Sequence, residues 1–300
     1  MTLYGGIETG GTKINCMIAS GPEDIRAFHT ITTTTPEQTL DQVVEFFHQQ
    51  RASGLEPAGI GLGAFWPVDL DPDSPSYGSI TSTPKPGWRD TPLLQILRDA
   101  LALPFVFDLD VAAAAVGEQT WGAARGLSTF IYLTIGTGIG GGVIVDGKPL
   151  HGLVHPELGH IPLRRDPARD AYTGFCPYHG DCLEGLAAGP AIEKRWGKRA
   201  EFLPPDHPAW MLEAEYLAQA LWSYIVCFSP QRIILGGGVM SQPVLFPLLR
   251  ARTIELLNGY VQSSEILTYP DRYIVPPGLG ARAGIIGCVA MAKRAFEPIA

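Results

Sequence analysis

Four side chains in one aperiodic stretch have the types and spacing of a metal site. Cys176-Pro177-Tyr178-His179-Gly180-Asp181-Cys182 supplies three donors at intervals of three, and His160 lies sixteen residues before the first of them. Two thiolates and two imidazoles make a closed tetrahedral set, the usual composition of a structural zinc site. A closed set has no open position for water, so the Zn²⁺ expected here staples a loop and is not a catalytic centre. His155, five residues upstream, competes with His160 as the first ligand. Incidental loop placement is the alternative, and C-x2-H-x2-C in a segment without periodicity weighs against it.

Glycine carries a second kind of chemistry, since 35 of the 300 residues are Gly, above the roughly 7% average. Thr9-Gly10-Gly11-Thr12-Lys13 and Gly136-Thr137-Gly138-Ile139-Gly140 each sit between two apolar runs, and Gly236-Gly237-Gly238 follows a third. Turns without Cβ atoms let consecutive backbone N–H groups face one concavity, and a neighbouring Thr hydroxyl adds a donor, which suits phosphate oxygens. A tight hairpin turn is the plain alternative for any one of them. Two in matching places plus the triplet favour a nucleotide cleft between lobes. None is a Walker loop, and the string Gly136 to Gly141 runs into a strand where a dinucleotide fingerprint requires a helix.

Carboxylates form the third group. Asp110 opens an alanine-rich helical pattern, where the helix dipole would hold it ionised, with simple N-capping as the alternative. Glu157, three residues before His160, and Glu184, two after Cys182, bracket the cysteine-histidine loop. A metal that folds this loop holds both as acceptors for sugar hydroxyls; surface solvation is the other reading for each.

These residues need elements to position them. Alternating or apolar runs at Tyr4 to Ile7, Ile14 to Ala19 and Ile25 to Ile31 predict a three-stranded meander. A helix follows from Pro36, with Leu40, Val43, Val44 and Phe47 on one face. A strand at Ile60 to Phe65, a long surface loop from Trp66 to Arg89, a helix at Leu93 to Leu103, a strand at Phe105 to Phe107 and a helix from Val111 to Trp121 complete a β-β-β-α-β-α-β-α order. The second half begins the same way at Phe130 to Ile135 and Gly141 to Val145. It continues through helices at Ala209 to Phe228 and Phe246 to Leu257, strands at Arg232 to Leu235 and Tyr273 to Val275, and a last helix after Gly280. The expected fold class is therefore α/β with two related lobes: an N-terminal lobe over 1–115, which the last helix (about 281–300) joins, and a C-terminal lobe over 116–280.

Composition excludes several classes. A net charge of -8 disfavours nucleic acid and anionic membranes as partners. Hydrophobic content of 46% comes in runs shorter than the roughly 18 residues of a membrane span. The N-terminus lacks a secretory pattern, and five cysteines are too few and odd in number for a disulfide framework, so the expected compartment is cytoplasmic.

Taken in order, Ile7-Glu8-Thr9-Gly10-Gly11-Thr12-Lys13, Ile135-Gly136-Thr137-Gly138-Ile139-Gly140-Gly141, His155-Pro156-Glu157-Leu158-Gly159-His160, Cys182-Leu183-Glu184-Gly185 and Leu235-Gly236-Gly237-Gly238-Val239 resemble the ROK family of sugar kinases and repressors. Tyr77-Gly78-Ser79-Ile80, Thr83-Pro84-Lys85-Pro86-Gly87-Trp88 and His179, where glucokinase-like members carry Cys, are similar to its zinc-containing bacterial fructokinase branch. The resemblance implies the two-lobed, actin-like (ribonuclease H-like) ATPase fold with ATP and Mg²⁺ in the cleft. It implies Asp110 as general base, Gly10, Gly11, Thr12 and Lys13 as the first phosphate loop, and Thr137 and Gly138 as the second. It places Pro190 and Gly236, Gly237 and Gly238 around the nucleoside, and Glu157, His160 and Glu184 at the sugar.

Two departures matter. Glu8 stands where many relatives have Asp, though Glu occurs in the fructokinase-like branch, and metal coordination through it is implied. Leu109 and Ala112 replace the two amides that flank the base in relatives that use glucose, which argues against glucokinase specificity. The expected reaction is phosphorylation of a hexose at its 6-hydroxyl, D-fructose to D-fructose 6-phosphate, by a homodimer. A kinase for mannose or another hexose and a non-catalytic sugar-binding regulator are the alternatives. A repressor is not expected, because the first phosphate turn begins by Thr9, leaving no room ahead of it for a DNA-binding domain.

Overall fold

The structure is a computed structural model and describes residues 1–83 and 85–297. Pro84 of the fructokinase-like motif and the last three positions of the expected C-terminal helix lie outside the described residues. Two compact units divide the chain. In the first, β1 (Tyr4–Thr9), β2 (Lys13–Gly21) and β3 (Asp24–Thr32) form the predicted antiparallel meander. After α1 (Pro36–Ala52), β4 (Ile60–Ala64) adds parallel to β1. After α2 (Leu93–Leu101), β5 (Phe105–Leu109) adds parallel to β4 and runs directly into α3 (Asp110–Trp121). The sheet order is β3-β2-β1-β4-β5.

Local chemistry accounts for these elements. Thr35 caps α1 by accepting from the Gln38 N–H, Pro36 occupies its first turn, and Leu40, Val43, Phe46 and Phe47 are buried. Phe46 thus stands on the inner face where Val44 was expected, while Val44 is only half-buried. The segment from Trp66 to Arg89 is not a loose surface loop. Bridges Val68 to Ile80 and Ile80 to Thr91 pleat it, and Trp88, fully buried, donates through Nε1 to the Thr34 carbonyl at 2.8 Å. One tryptophan and two aliphatic side chains are enough to draw an otherwise polar, Pro-rich stretch onto the core.

In the second unit, β6 (Phe130–Ile135), β7 (Ile139–Val145) and β8 (Lys148–Pro149) form the meander. α4 (Leu183–Ala187), α5 (Gly189–Trp196) and α6 (Ala209–Phe228) precede β9 (Ile233–Gly236), which pairs parallel to β6. α7 (Leu245–Leu257), α8 (Ser264–Leu267) and α9 (Pro270–Tyr273) lead to β10 (Ile274–Val275), parallel to β9. The order β10-β9-β6-β7-β8 is the first sheet's order read from the other edge, with the same antiparallel and parallel pairings. The internal repeat anticipated from the two glycine turns is therefore a repeat of whole topology.

α10 (Ala283–Phe296) returns to the first unit and packs on α3, β1 and β4. Its approach to α3 depends on missing side chains: a Cβ at Gly287 would lie 1.9 Å from the Ala113 carbonyl oxygen. The unit boundary falls after Gly126, not after residue 115, and the first unit also claims His151–His155. The reason is physical. α3 runs unbroken to Trp121, buried from Val111 through Glu118, so a cut at 115 would halve a core helix. No helix among the described residues is long and apolar enough to cross a membrane.

One buried group is costly. Neither carboxyl oxygen of Glu213, on α6, has a hydrogen-bond partner among the described residues, and burial pushes its pKa well above the usual 4.5 despite Arg195 nearby. The folded chain keeps a proton that the unfolded chain releases from about pH 4.5 upward, so this group lowers stability as pH rises. Glu213→Met should stabilise the protein by about 1–3 kcal/mol in chemical denaturation at pH 8, with a smaller gain at pH 5. A variant that unfolds more easily than the parent at both pH values would overturn this account.

Candidate active site

The first unit presents two carboxylates and a turn. Asp110 is the first residue of α3; Leu109 holds the cap position with no side-chain bond, so N-capping is not the role of Asp110. Its Oδ1 accepts from the Val111 N–H at 2.8 Å. Burial, then the like charge of Glu8, push its pKa up to about 7, outweighing that hydrogen bond. Loss of water and a second carboxylate thus oppose the helix terminus that was expected to hold this group ionised.

Glu8 projects from β1. Its Oε2 accepts from Asn15 Nδ2 at 2.8 Å, and Asn15 Oδ1 accepts from Thr30 Oγ1 at 2.9 Å, a brace across the meander. Burial raises its pKa, opposed by Asn15 and Lys13. A Cβ at Gly284, in the first turn of α10, would lie 1.9 Å from Glu8 Oε1. The longer carboxylate at this position thus occupies room that a glycine on another element leaves.

The turn Gly10 to Lys13 joins β1 to β2 and is anchored through its carbonyls. Thr33 Oγ1 donates to Gly10 at 2.9 Å, Lys85 Nζ to Gly11, and the Thr33 N–H to Thr12 at 3.0 Å. Lys85 comes from the pleated segment 66–91, which gives that segment a structural duty at the turn. Another pair includes Asp108, two residues before Asp110: His151 Nε2, 43 residues further along the chain, meets Asp108 Oδ2 at 3.0 Å, and the carboxylate raises the imidazole pKa. Sequence reasoning missed Asn15, Thr30, Gly284 and this pair, because each contact depends on how separate elements pair or pack and none belongs to a motif.

In the second unit, His160, Cys176, His179 and Cys182 bring one donor atom each to within 4.8 Å of one another. His155 is not a member of this set. His160 Nδ1 lies 3.7 Å from Cys176 Sγ and 3.6 Å from Cys182 Sγ, and His179 Nδ1 lies 3.8 Å from Cys176 Sγ. Tetrahedral zinc with ordinary Zn–S and Zn–N bonds separates sulfur from nitrogen by about 3.6 Å. The donor set therefore fits the ion. His160 Nε2 faces Glu184 Oε1 at 4.0 Å, and Glu184 Oε2 accepts from the Ile139 N–H at 2.9 Å. Glu157 precedes the 3-10 turn Leu158–His160, which brings it near His160 in the chain.

A pocket of about 590 Å³ in the same unit is lined by Gly136, Thr137, Gly189, Pro190, Glu193, Arg199, Gly238 and Val239 with their neighbours. Thr137, Pro190 and Gly238 were singled out from sequence, and here they line one pocket. Gly236 ends β9, and Gly237 continues the chain at φ +89° beside the Ile135 backbone. Glu193 and Arg199 were not anticipated, because no motif marks them.

Duplicated sheets of identical order, each with a glycine-threonine turn between its first two strands, define a protein of the actin-like ATPase fold. The chain belongs to the ROK family, whose profile matches residues 4–295. It is 43% identical to a fructokinase of Zymomonas mobilis over 297 residues, covering 98% of this chain and 97% of that one. A ROK hexokinase from Thermus thermophilus superposes with TM-score 0.80 at 28% identity, covering 98% of this chain and 99% of that one. A ROK family glucokinase from Streptomyces griseus, solved with glucose and AMPPNP, gives TM-score 0.76 at 25% identity, covering 97% and 99%.

Proposed function

We propose that this protein is an ATP-dependent fructokinase, transferring the γ-phosphoryl group of Mg-ATP to the 6-hydroxyl of D-fructose. The observation that carries this reading is Asp110, a carboxylate poised near pH 7 at the start of α3, directly after β5, where it can accept a proton at operating pH. As the sugar O6 forms its bond to phosphorus, the hydroxyl proton passes to Asp110 and the bond to the bridging oxygen breaks, releasing ADP. The choice of sugar rests on the likeness to fructokinases.

Roles follow for each unit. In the first, Gly10, Gly11, Thr12 and Lys13 offer amides and a cation to phosphate oxygens, and Glu8 gives Mg²⁺ the oxygen donor a hard cation prefers. Mg²⁺, when bound, neutralises charge on the β- and γ-phosphate oxygens. In the second, Thr137 and Gly138 receive phosphate, the pocket lined by Pro190 and Gly238, with Gly236 and Gly237 preceding it in the chain, receives the nucleoside, and Glu157, His160 and Glu184 receive sugar hydroxyls. His160, Cys176, His179 and Cys182 hold structural Zn²⁺. A cytoplasmic homodimer completes the proposal, supported by the family resemblance.

The test is a coupled ADP-release assay over fructose, mannose, glucose and N-acetylated hexoses, with and without Mg²⁺. Fructose should give the highest kcat/KM, and omission of Mg²⁺ should abolish it. A preference for mannose would reassign the sugar, and absence of ADP release with every hexose would leave the sugar-binding regulator.

A further inference from the structure

Glu184 sits between two features that the proposed function treats separately. One oxygen faces the imidazole of His160, whose other nitrogen points at both cysteine sulfurs. The other accepts from the Ile139 N–H, the first residue after the turn Gly136 to Gly138. The fit against that turn is close: a Cβ on Gly138 would lie 2.7 Å from Glu184 Oε2. Glu184 is itself fixed, as a buried residue in the first turn of α4, directly after Cys182.

We infer that Glu184 is a positioning residue that couples the cysteine-histidine cluster to the second glycine turn, so that metal occupancy sets the shape of the turn and with it nucleotide affinity. The physical chain is short. Metal on Nδ1 fixes the His160 ring and leaves its Nε2 as the protonated face toward the carboxylate. The carboxylate, held from one side, presents its second oxygen to the amide that closes the turn, a charge-assisted bond. Without the metal His160 loses its Nδ1 ligation, its electrostatic hold on the carboxylate across 4.0 Å weakens, and the acceptor that aligns the turn is set less firmly. This inference rests on the reading of Gly136 to Gly138 as a phosphate turn, and it gives Glu184 a task distinct from contact with sugar.

The experiment measures Mg-ADP affinity by calorimetry without any sugar, together with hydrogen exchange of the segment spanning Gly136 to Gly141. Parent, Glu184→Ala, Glu184→Gln and Gly138→Ala are compared, each as purified and after chelator treatment. Glu184→Ala should weaken Mg-ADP binding about tenfold, the scale of a lost partner behind a metal ligand. Exchange in the turn should speed up, while Glu184→Gln, which keeps an acceptor oxygen, should restore both. Chelation should reproduce the alanine phenotype in the parent and add little to Glu184→Ala. Gly138→Ala, which leaves every metal ligand intact, should also weaken Mg-ADP and supplies the test if Glu184→Ala misfolds. Unchanged Mg-ADP affinity and exchange in Glu184→Ala, or in the chelated parent, would overturn the coupling. A parent protein that binds no Mg-ADP would instead sink the kinase reading.

Discussion

Asp110→Asn should lower fructose-dependent turnover about 10³-fold, the usual scale for removing a positioned general base. The substitution is nearly isosteric and the site already holds a proton for part of the time at neutral pH, so folding and Mg-ADP binding should be preserved. The amide still offers an oxygen to the Val111 N–H. What it cannot do is accept the hydroxyl proton. The pH profile gives an independent check. Because burial and Glu8 push Asp110 up to about 7, the active, ionised form is lost as pH falls, and log kcat/KM of the parent should rise with unit slope below about pH 7 and flatten above it. Glu8→Gln removes the second cause of that shift, so the acid limb of its residual activity should move to lower pH. Wild-type turnover in Asp110→Asn, or a flat profile from pH 5 to 8, would remove Asp110 from the chemistry.

The second large effect concerns the metal. In the metal-free protein, burial and then the neighbouring Cys176 push Cys182 up to about 11, so the thiol is protonated at neutral pH. Zinc ligation requires the thiolate, and uptake therefore displaces protons and weakens in acid. A bound ion would offset the cost of ordering a long stretch: from His160, where the 3-10 turn ends, to Cys182 the chain contains isolated bridges but no helix or extended ladder. Cys182→Ser, or exhaustive chelation of the parent, should lower the melting temperature by about 10 °C and make the loop a protease target, on the scale of a lost structural metal. Metal analysis should find about one equivalent of zinc per chain in the parent and none in the variant. A metal-free preparation with unchanged melting temperature and protease resistance would refute the assignment.

Much of this molecule is legible in its residue order because much of it is local. The meander, α1 and α6 follow from alternation, a Pro near the start and a helical period, each set by neighbours a few positions apart. The cysteine-histidine cluster is legible for a related reason: three of its four residues lie within seven consecutive positions, and their donor chemistry is specific enough to stand without a fold. The long segment from Trp66 to Arg89 misled because its Pro, Ser and Gly content describes local freedom, whereas its fate is set by Trp88 finding Thr34 and by Lys85 finding Gly11.

The glycine surplus shows the same division. Sequence assigns Gly10, Gly11, Gly136 and Gly138 to turns, since flanking strands and Thr residues mark them. Gly284 and Gly287 lie inside a helical pattern, where glycine is merely unfavourable; their reasons, the Glu8 carboxylate and the Ala113 carbonyl, come from elements far away in the chain. Donor types, turn positions and the repeated order of strands are thus written in the residues themselves, because backbone geometry and ligand chemistry depend on short spans. The poise of Asp110 and the contact of Glu184 with Ile139 came from packing alone. Both depend on how close two charged or polar groups are held and how little water separates them, and side-chain burial between distant segments sets both quantities.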